Sequence, residues 1–253
     1  VSPADECVEH RPAAQLGCRI GIFACNEKLA EIFLRRVQWH RHVLKTAMQR
    51  VGGRFRFELA KSAGGKLQAA GYDELHVLID ASDSAAELDL FLPCAGIVHA
   101  HFVGRNAPPV PSGVRSYAWR SVEEAASFWA RFYLSAEHAS LAVNCSDELS
   151  WIADGLVGVG EHAWSVSTKG ALTTLHERID ESCWRNIQRN IVVVEAPVGW
   201  RIRSLEKVRS ALYAPNGAEP EILVLLSPHF VGCSLSWLCF FGAGEQGGQI
   251  AAR

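Results

Sequence analysis

No two of the eight cysteines stand at C-x-x-C spacing. That removes the zinc-ribbon and thioredoxin-type readings. A G-x-S-x-G elbow is absent, and with it the usual serine nucleophile of α/β hydrolases. No apolar run approaches the roughly 20 residues of a membrane span. There is no basic excess either: the formal charge is −2. Nucleic acid is therefore not an expected partner, because backbone binding favours a clear positive surplus. The basic set Arg35, Arg36, His40, Arg41, His42, Lys45 and Arg50 reads as a solvated helix face. Internal repeats and linker-like stretches are also missing.

What remains is ordinary globular composition, with 49% hydrophobic and 21% charged residues in 253. The cysteines lie in apolar segments such as LPCAG, LAVNCS and WLCFF. Buried thiols in a reducing compartment fit this better than a disulfide framework, so a soluble intracellular protein is expected. The opening residues are polar and acidic, unlike a secretory signal. Residues 1–18 read as an extended arm and 19–253 as a single α/β domain.

Strand-like and helix-like segments alternate. RIGIFAC (19–25) passes into a helix capped by Asn26, with Leu29, Ile32, Phe33, Val37 and His40 on one face. FRFELA (55–60) is a strand, followed by a short helix to about Ala70. LHVLIDA (75–81) and GIVHAHFV (96–103) are strands flanking a helix that ends at Pro93. Residues 104–120 read as a loop of about 17 residues, long enough to be functional. Ser121 caps the helix VEEAASFWARFYLSAEH. SLAVNC (140–145) is a strand, DELSWIADGLV a helix, and 158–170 is ambiguous. ALTTLHERIDESCWRNIQRN is a helix, IVVVEAP (191–197) a strand and SLEKVRSALYA a helix. EILVLLSP (221–228) and SWLCFFGAG (236–244) are the last strands.

About eight or nine strands of this kind imply a mainly parallel sheet with crossover helices. An open doubly wound sheet and a closed barrel both fit, and the open sheet is favoured. The last two strands are too close for a crossover helix and are expected to form an antiparallel edge pair.

The densest reactive stretch is 73–105, with His76, Asp80, Asp83, Cys94, His99 and His101. Period two puts His99 and His101 on one strand face, which suits two ligands of one divalent metal. Asp80 is the candidate third ligand. The alternative is a pair of buried histidines bonded to neighbouring acceptors. PCAGIVHAH resembles the first-strand motif of amidohydrolase-type metal enzymes. Pro93, His99 and His101 match it, while Cys94 replaces a Gly and Ile97 an Asp. That family opens its fold with the motif, whereas here an α/β segment comes first.

Gly242-x-Gly244-x-x-Gly247 matches a dinucleotide turn, yet the sequence given leaves no room for the helix and acidic residue that should follow. No dinucleotide is expected to bind at this turn; a divalent metal is the one cofactor candidate. Glu161-His162 in GVGEHAW suggests an acid–base pair on a loop. Cys25 and Cys145 each sit between strand and helix, where a thiol pKa falls. The aromatic excess of helix 121–138 suggests a protein interface.

Two readings follow. One is an enzyme, a hydrolase or group-transfer catalyst with metal assistance, its site at the carboxyl edge of the sheet. Asp80, Asp83, Arg105, Cys145 and His162 are its candidate catalytic residues, acting on a small-molecule substrate. The other is a non-catalytic subunit with an enzyme-like fold, joined to a protein partner or to copies of itself.

Overall fold

Continuous apolar runs become strands here because helices cover both faces of the sheet. The computed structural model describes residues 17–47, 55–60, 62–63, 66–67, 71–80, 85–104, 106–108, 110–138, 156–178, 184–227 and 230–242. The strands are β1 (Cys18–Ala24), β2 (Phe55–Leu59), β3 (Ser62–Ala63), β4 (Lys66–Leu67), β5 (Tyr72–Ile79), β6 (Ala95–Val103), β7 (Val114–Trp119), β8 (Leu156–Ser165), β9 (Arg189–Pro197), β10 (Pro220–Ser227) and β11 (Cys233–Gly242). The helices are α1 (Glu27–Ala47), α2 (Val122–His138), α3 (Thr168–Arg178) and α4 (Ile202–Ala211), with a 3₁₀ helix at Ala85–Cys94.

Nine strands make one open sheet in the order β10-β9-β11-β8-β7-β6-β5-β1-β2. All neighbours are parallel except β11, which runs antiparallel to both β8 and β9. Alternate residues of each strand serve different cores. Ile191 and Val193 join the core beneath α1 and α2, with Phe33, Val37, Phe128 and Trp129. Val192 and Val194 join the core beneath α3 and α4, with Leu175 and Val208. A third cluster packs the 3₁₀ helix, through Leu88 and Cys94, on β5 and β6. Among the described residues no helix is long and apolar enough to cross a membrane. The five described cysteines, Cys18, Cys25, Cys94, Cys233 and Cys239, are thiols.

The open, mainly parallel sheet is as expected from the alternation of segments. Several local expectations are corrected. The last strand does not form an edge pair with β10: it lies inside the sheet, with nine of its ten residues buried. Its apolar side chains point to both faces, so an interior place is the stable one, and the short return from β10 steps over β9. The helix expected after residue 60 is replaced by the two-residue strands β3 and β4, paired antiparallel. The segment before Pro93 is 3₁₀, with Pro93 in its last turn. The expected loop 104–120 ends early in β7, whose alternating VRSYAW follows a proline-rich approach and Gly113 at φ 87°. The ambiguous segment is β8, and the helix expected over 171–190 is helical over Thr168–Arg178 and has given way to β9 by Arg189. The strand 140–145 lies outside the described residues.

Two glycines of β8 shape the sheet where it matters. A Cβ on Gly158 would lie 2.7 Å from the Tyr117 ring, and one on Gly160 would overlap the Trp119 ring. Their absence of side chain lets both rings lie flat against the strand. Gly160→Ala is expected to destabilise by about 1–3 kcal/mol through overpacking. A thermal melt, with Trp119 emission as the local reporter, checks this.

Candidate functional site

Consecutive strands stack their polar residues into one row. His76 of β5 is in register with His99 of β6, and His101 of β6 with Tyr117 of β7. Glu74 lies two residues before His76 and shares its face. Above the row, α1 supplies Phe33 and α2 supplies Trp129 and Tyr133, which reach the row at its centre. The three imidazoles are 0% exposed and Glu74 is 1% exposed. His76 and His101 lie edge to edge, with ring centroids 5.0 Å apart and planes 2° off parallel.

The hydrogen bonds have a direction. Trp119 Nε1 donates to His101 Nδ1 at 3.0 Å. An indole N–H cannot accept. A neutral His101 therefore carries its proton on Nε2, which donates to His76 Nδ1 at 2.8 Å. His76 then holds its proton on Nε2 and donates to Tyr133 Oη at 2.8 Å. Tyr133 Oη in turn donates to Glu74 Oε2. Beside this chain, His99 Nδ1 is 3.0 Å from Tyr117 Oη, and its Nε2 faces Glu74 Oε2 at 3.5 Å. Burial pulls all three histidines well below their ordinary pKa, so they are neutral. Burial likewise pushes the Glu74 carboxyl up, opposed by the Tyr133 hydroxyl and by His76.

Sequence reasoning placed His99 and His101 on one face, and they share it. The set that gathers is a different one: the described residues whose ligand atoms lie within 4.8 Å of one another are Glu74, His76 and His99. Asp80 follows the last residue of β5 and is not in that group. The donor set does not suit a divalent ion. A neutral imidazole ligates through a lone pair, and the chain from Trp119 places a proton on His76 Nε2. His101 has its two nitrogens committed to Trp119 and His76. The signal that could have exposed the row was parity. His76 stands two residues from Glu74 in one strand, as His99 does from His101 in the next.

The other candidates are scattered. Asp83, Arg105 and Cys145 lie outside the described residues. His162 sits on β8, not on a loop, and its Nδ1 is 3.1 Å from Ser236 Oγ. Burial lowers its pKa to about 3. Its neighbour Glu161 points to the opposite face, as successive strand residues must. There Arg120 meets it at 2.6 Å and Arg178 at 4.0 Å, and burial pushes it up to about 7. The two do not form an acid–base pair. The aromatic excess of α2 is core, with Phe128, Trp129, Phe132 and Tyr133 all buried.

His101→Ala is expected to cost about 1–3 kcal/mol, since it takes the partner of Trp119 Nε1 and of His76 Nδ1. Elemental analysis of the purified protein is expected to find no stoichiometric metal. Stability should also fall on acidification. Six histidines have lowered pKa values, His40, His76, His99, His101, His162 and His176. Three carboxyls have raised values, Glu74, Glu161 and Glu221. Below about pH 6.5 the unfolded histidines bind protons that the folded ones refuse, which lowers stability. The raised carboxyls oppose this, because they are protonated earlier when folded. The histidines outnumber them, so the melting temperature at pH 5.5 should be below that at pH 7.5.

No family model matches the sequence, and no curated protein matches it. Solved structures match by fold. FtsZ from M. jannaschii, solved as an empty dimer, superposes with a TM-score of 0.54 at 8% identity, covering 91% of this chain and 89% of FtsZ. CetZ1 from Haloferax volcanii, solved as a GDP-bound monomer, gives 0.50 at 9% identity, covering 93% of this chain and 96% of CetZ1. Over nearly its whole length, this chain has the fold of FtsZ and CetZ1.

Proposed function

We propose that the chain is a non-catalytic structural subunit of a protein assembly, built on an FtsZ-like fold. The observation that carries this reading is the whole-length fold likeness to FtsZ, a protein solved as a dimer. The sealing of the histidine row supports it. The densest reactive cluster of the chain lies under α1 and α2 with its imidazoles fully buried, where no substrate reaches it. Its hydrogen bonds are spent on joining β5, β6, β7 and α2.

One observation favours a second reading, a ligand-binding enzyme with its site at the carboxyl edge. β1 has β2 on one side and β5 on the other, the α1 connection packs on one sheet face, and the 3₁₀ connection after β5 packs on the other. Such a switch point opens a crevice at the strand ends. There Asn26 Oδ1 accepts from Lys28 N at 3.2 Å to start α1, and Asp80 follows β5. CetZ1 was solved with GDP.

Light scattering across a concentration series, with and without GDP, tests the two together. The subunit reading expects concentration-dependent assembly that GDP leaves unchanged. A protein that stays monomeric yet shows saturable stabilisation by GDP would replace it with the second reading.

A further inference from the structure

The two edges of the sheet are built differently. At one, β2 is five residues long and carries Arg56 and Glu58; Glu58 is 2.6 Å from Arg19 and 3.6 Å from Arg56. A short strand studded with charge is protected against pairing with another strand. At the other, β10 is eight residues long and reads PEILVLLS. From Ile222 to Ser227 it carries no charge, no proline and no glycine. Among the described residues no strand lies beyond it. Leu226 is 38% exposed there, and Val231, in the return to β11, is 75% exposed.

We infer that the β10 edge is the surface through which two copies of this chain join, strand to strand about a two-fold axis, so that their sheets become continuous. This deepens the subunit reading above and rests on it. An edge strand offers a row of backbone donors and acceptors, and the group that satisfies such a row is another strand edge. The charges choose the partner and its direction. The charged, short β2 edge is a poor complement to six uncharged residues, which disfavours a head-to-tail chain of β10 on β2. Two β10 strands running parallel would set Glu221 beside Glu221 of the second copy. Running antiparallel with full overlap, each Glu221 meets Leu226 of the other copy, and the two carboxylates stand about 17 Å apart at ~3.4 Å per residue. A two-fold contact of this kind closes at the dimer.

Sedimentation velocity on the full chain, paired with hydrogen exchange of residues 220–227 at low and high concentration, tests the inference. Leu226→Lys places a charge on the edge. The expected result is a dimer whose β10 amides gain protection as concentration rises. The substitution should weaken association at least tenfold and leave the melting temperature unchanged. If Leu226→Lys disturbs folding, the exchange of the unsubstituted chain decides alone. An assembly whose β10 amides exchange equally at both concentrations overturns the edge and leaves the subunit reading standing. A chain that is monomeric at every concentration overturns both.

Discussion

The indole N–H of Trp119 has a hydrogen to give and no lone pair to offer, and the whole polar row takes its sense from that. His101 must present a bare Nδ1, so its proton sits on Nε2; His76 repeats the choice, and Tyr133 passes it to Glu74. Five side chains from three strands and one helix are thereby held in single orientations. From Trp119 to Glu74 each donor is aimed at an acceptor, which rigidifies a core, while His99 Nε2 beside that chain is buried without a hydrogen-bond partner. Trp119 can begin the chain only because Gly160 leaves room for its ring. A backbone choice on β8 therefore fixes proton positions two and three strands away.

The same row makes the sheet face beneath α1 and α2 specific. An apolar face would let the helices slide; here Tyr133 of α2 is tied both to His76 and to Glu74. A second tie runs from Arg131 of α2 to Glu195 of β9 at 2.9 Å, both nearly buried. Removing one partner of such a pair leaves an uncompensated charge, so these contacts fix the place of the helix more than they add to stability. The chemistry that looks catalytic in the sequence is in this way absorbed by architecture. The two readings of function therefore rest on the sheet edge and the carboxyl-end crevice, not on the row.

Much of the fold was legible because the apolar runs at 19–24, 75–79, 96–103 and 191–197 are strands with both faces covered, and 221–227 holds an unbroken apolar run although it lies half-buried at the edge. β7 was not, because prolines at 108, 109 and 111 crowd its approach and its six residues mix Arg115 and Ser116 with apolar ones. The place of β11 was not, because adjacency in sequence says nothing of a strand that steps over its neighbour. In the site, period two showed that His99 and His101 share a face. It could not show that His76 stands in register with His99, since register between strands is set by the whole sheet. Nor could it show that α2 would close over them. Phe128, Trp129, Phe132 and Tyr133 look like an interface in sequence; in the fold Trp129 and Tyr133 close over the chain's own histidines, and Phe128 and Phe132 pack beside Trp129.

The claim on which this account turns is the direction of the hydrogen-bond chain, and nitrogen NMR of the histidine side chains reads it directly. With ¹⁵N-labelled protein between pH 5.5 and 8, His76 and His101 should both appear as neutral rings protonated on Nε2 with a bare Nδ1. Neither should titrate while the protein stays folded. A proton on Nδ1 of either ring, an imidazolium at pH 7, or the shift of a metal-bound nitrogen would contradict the account.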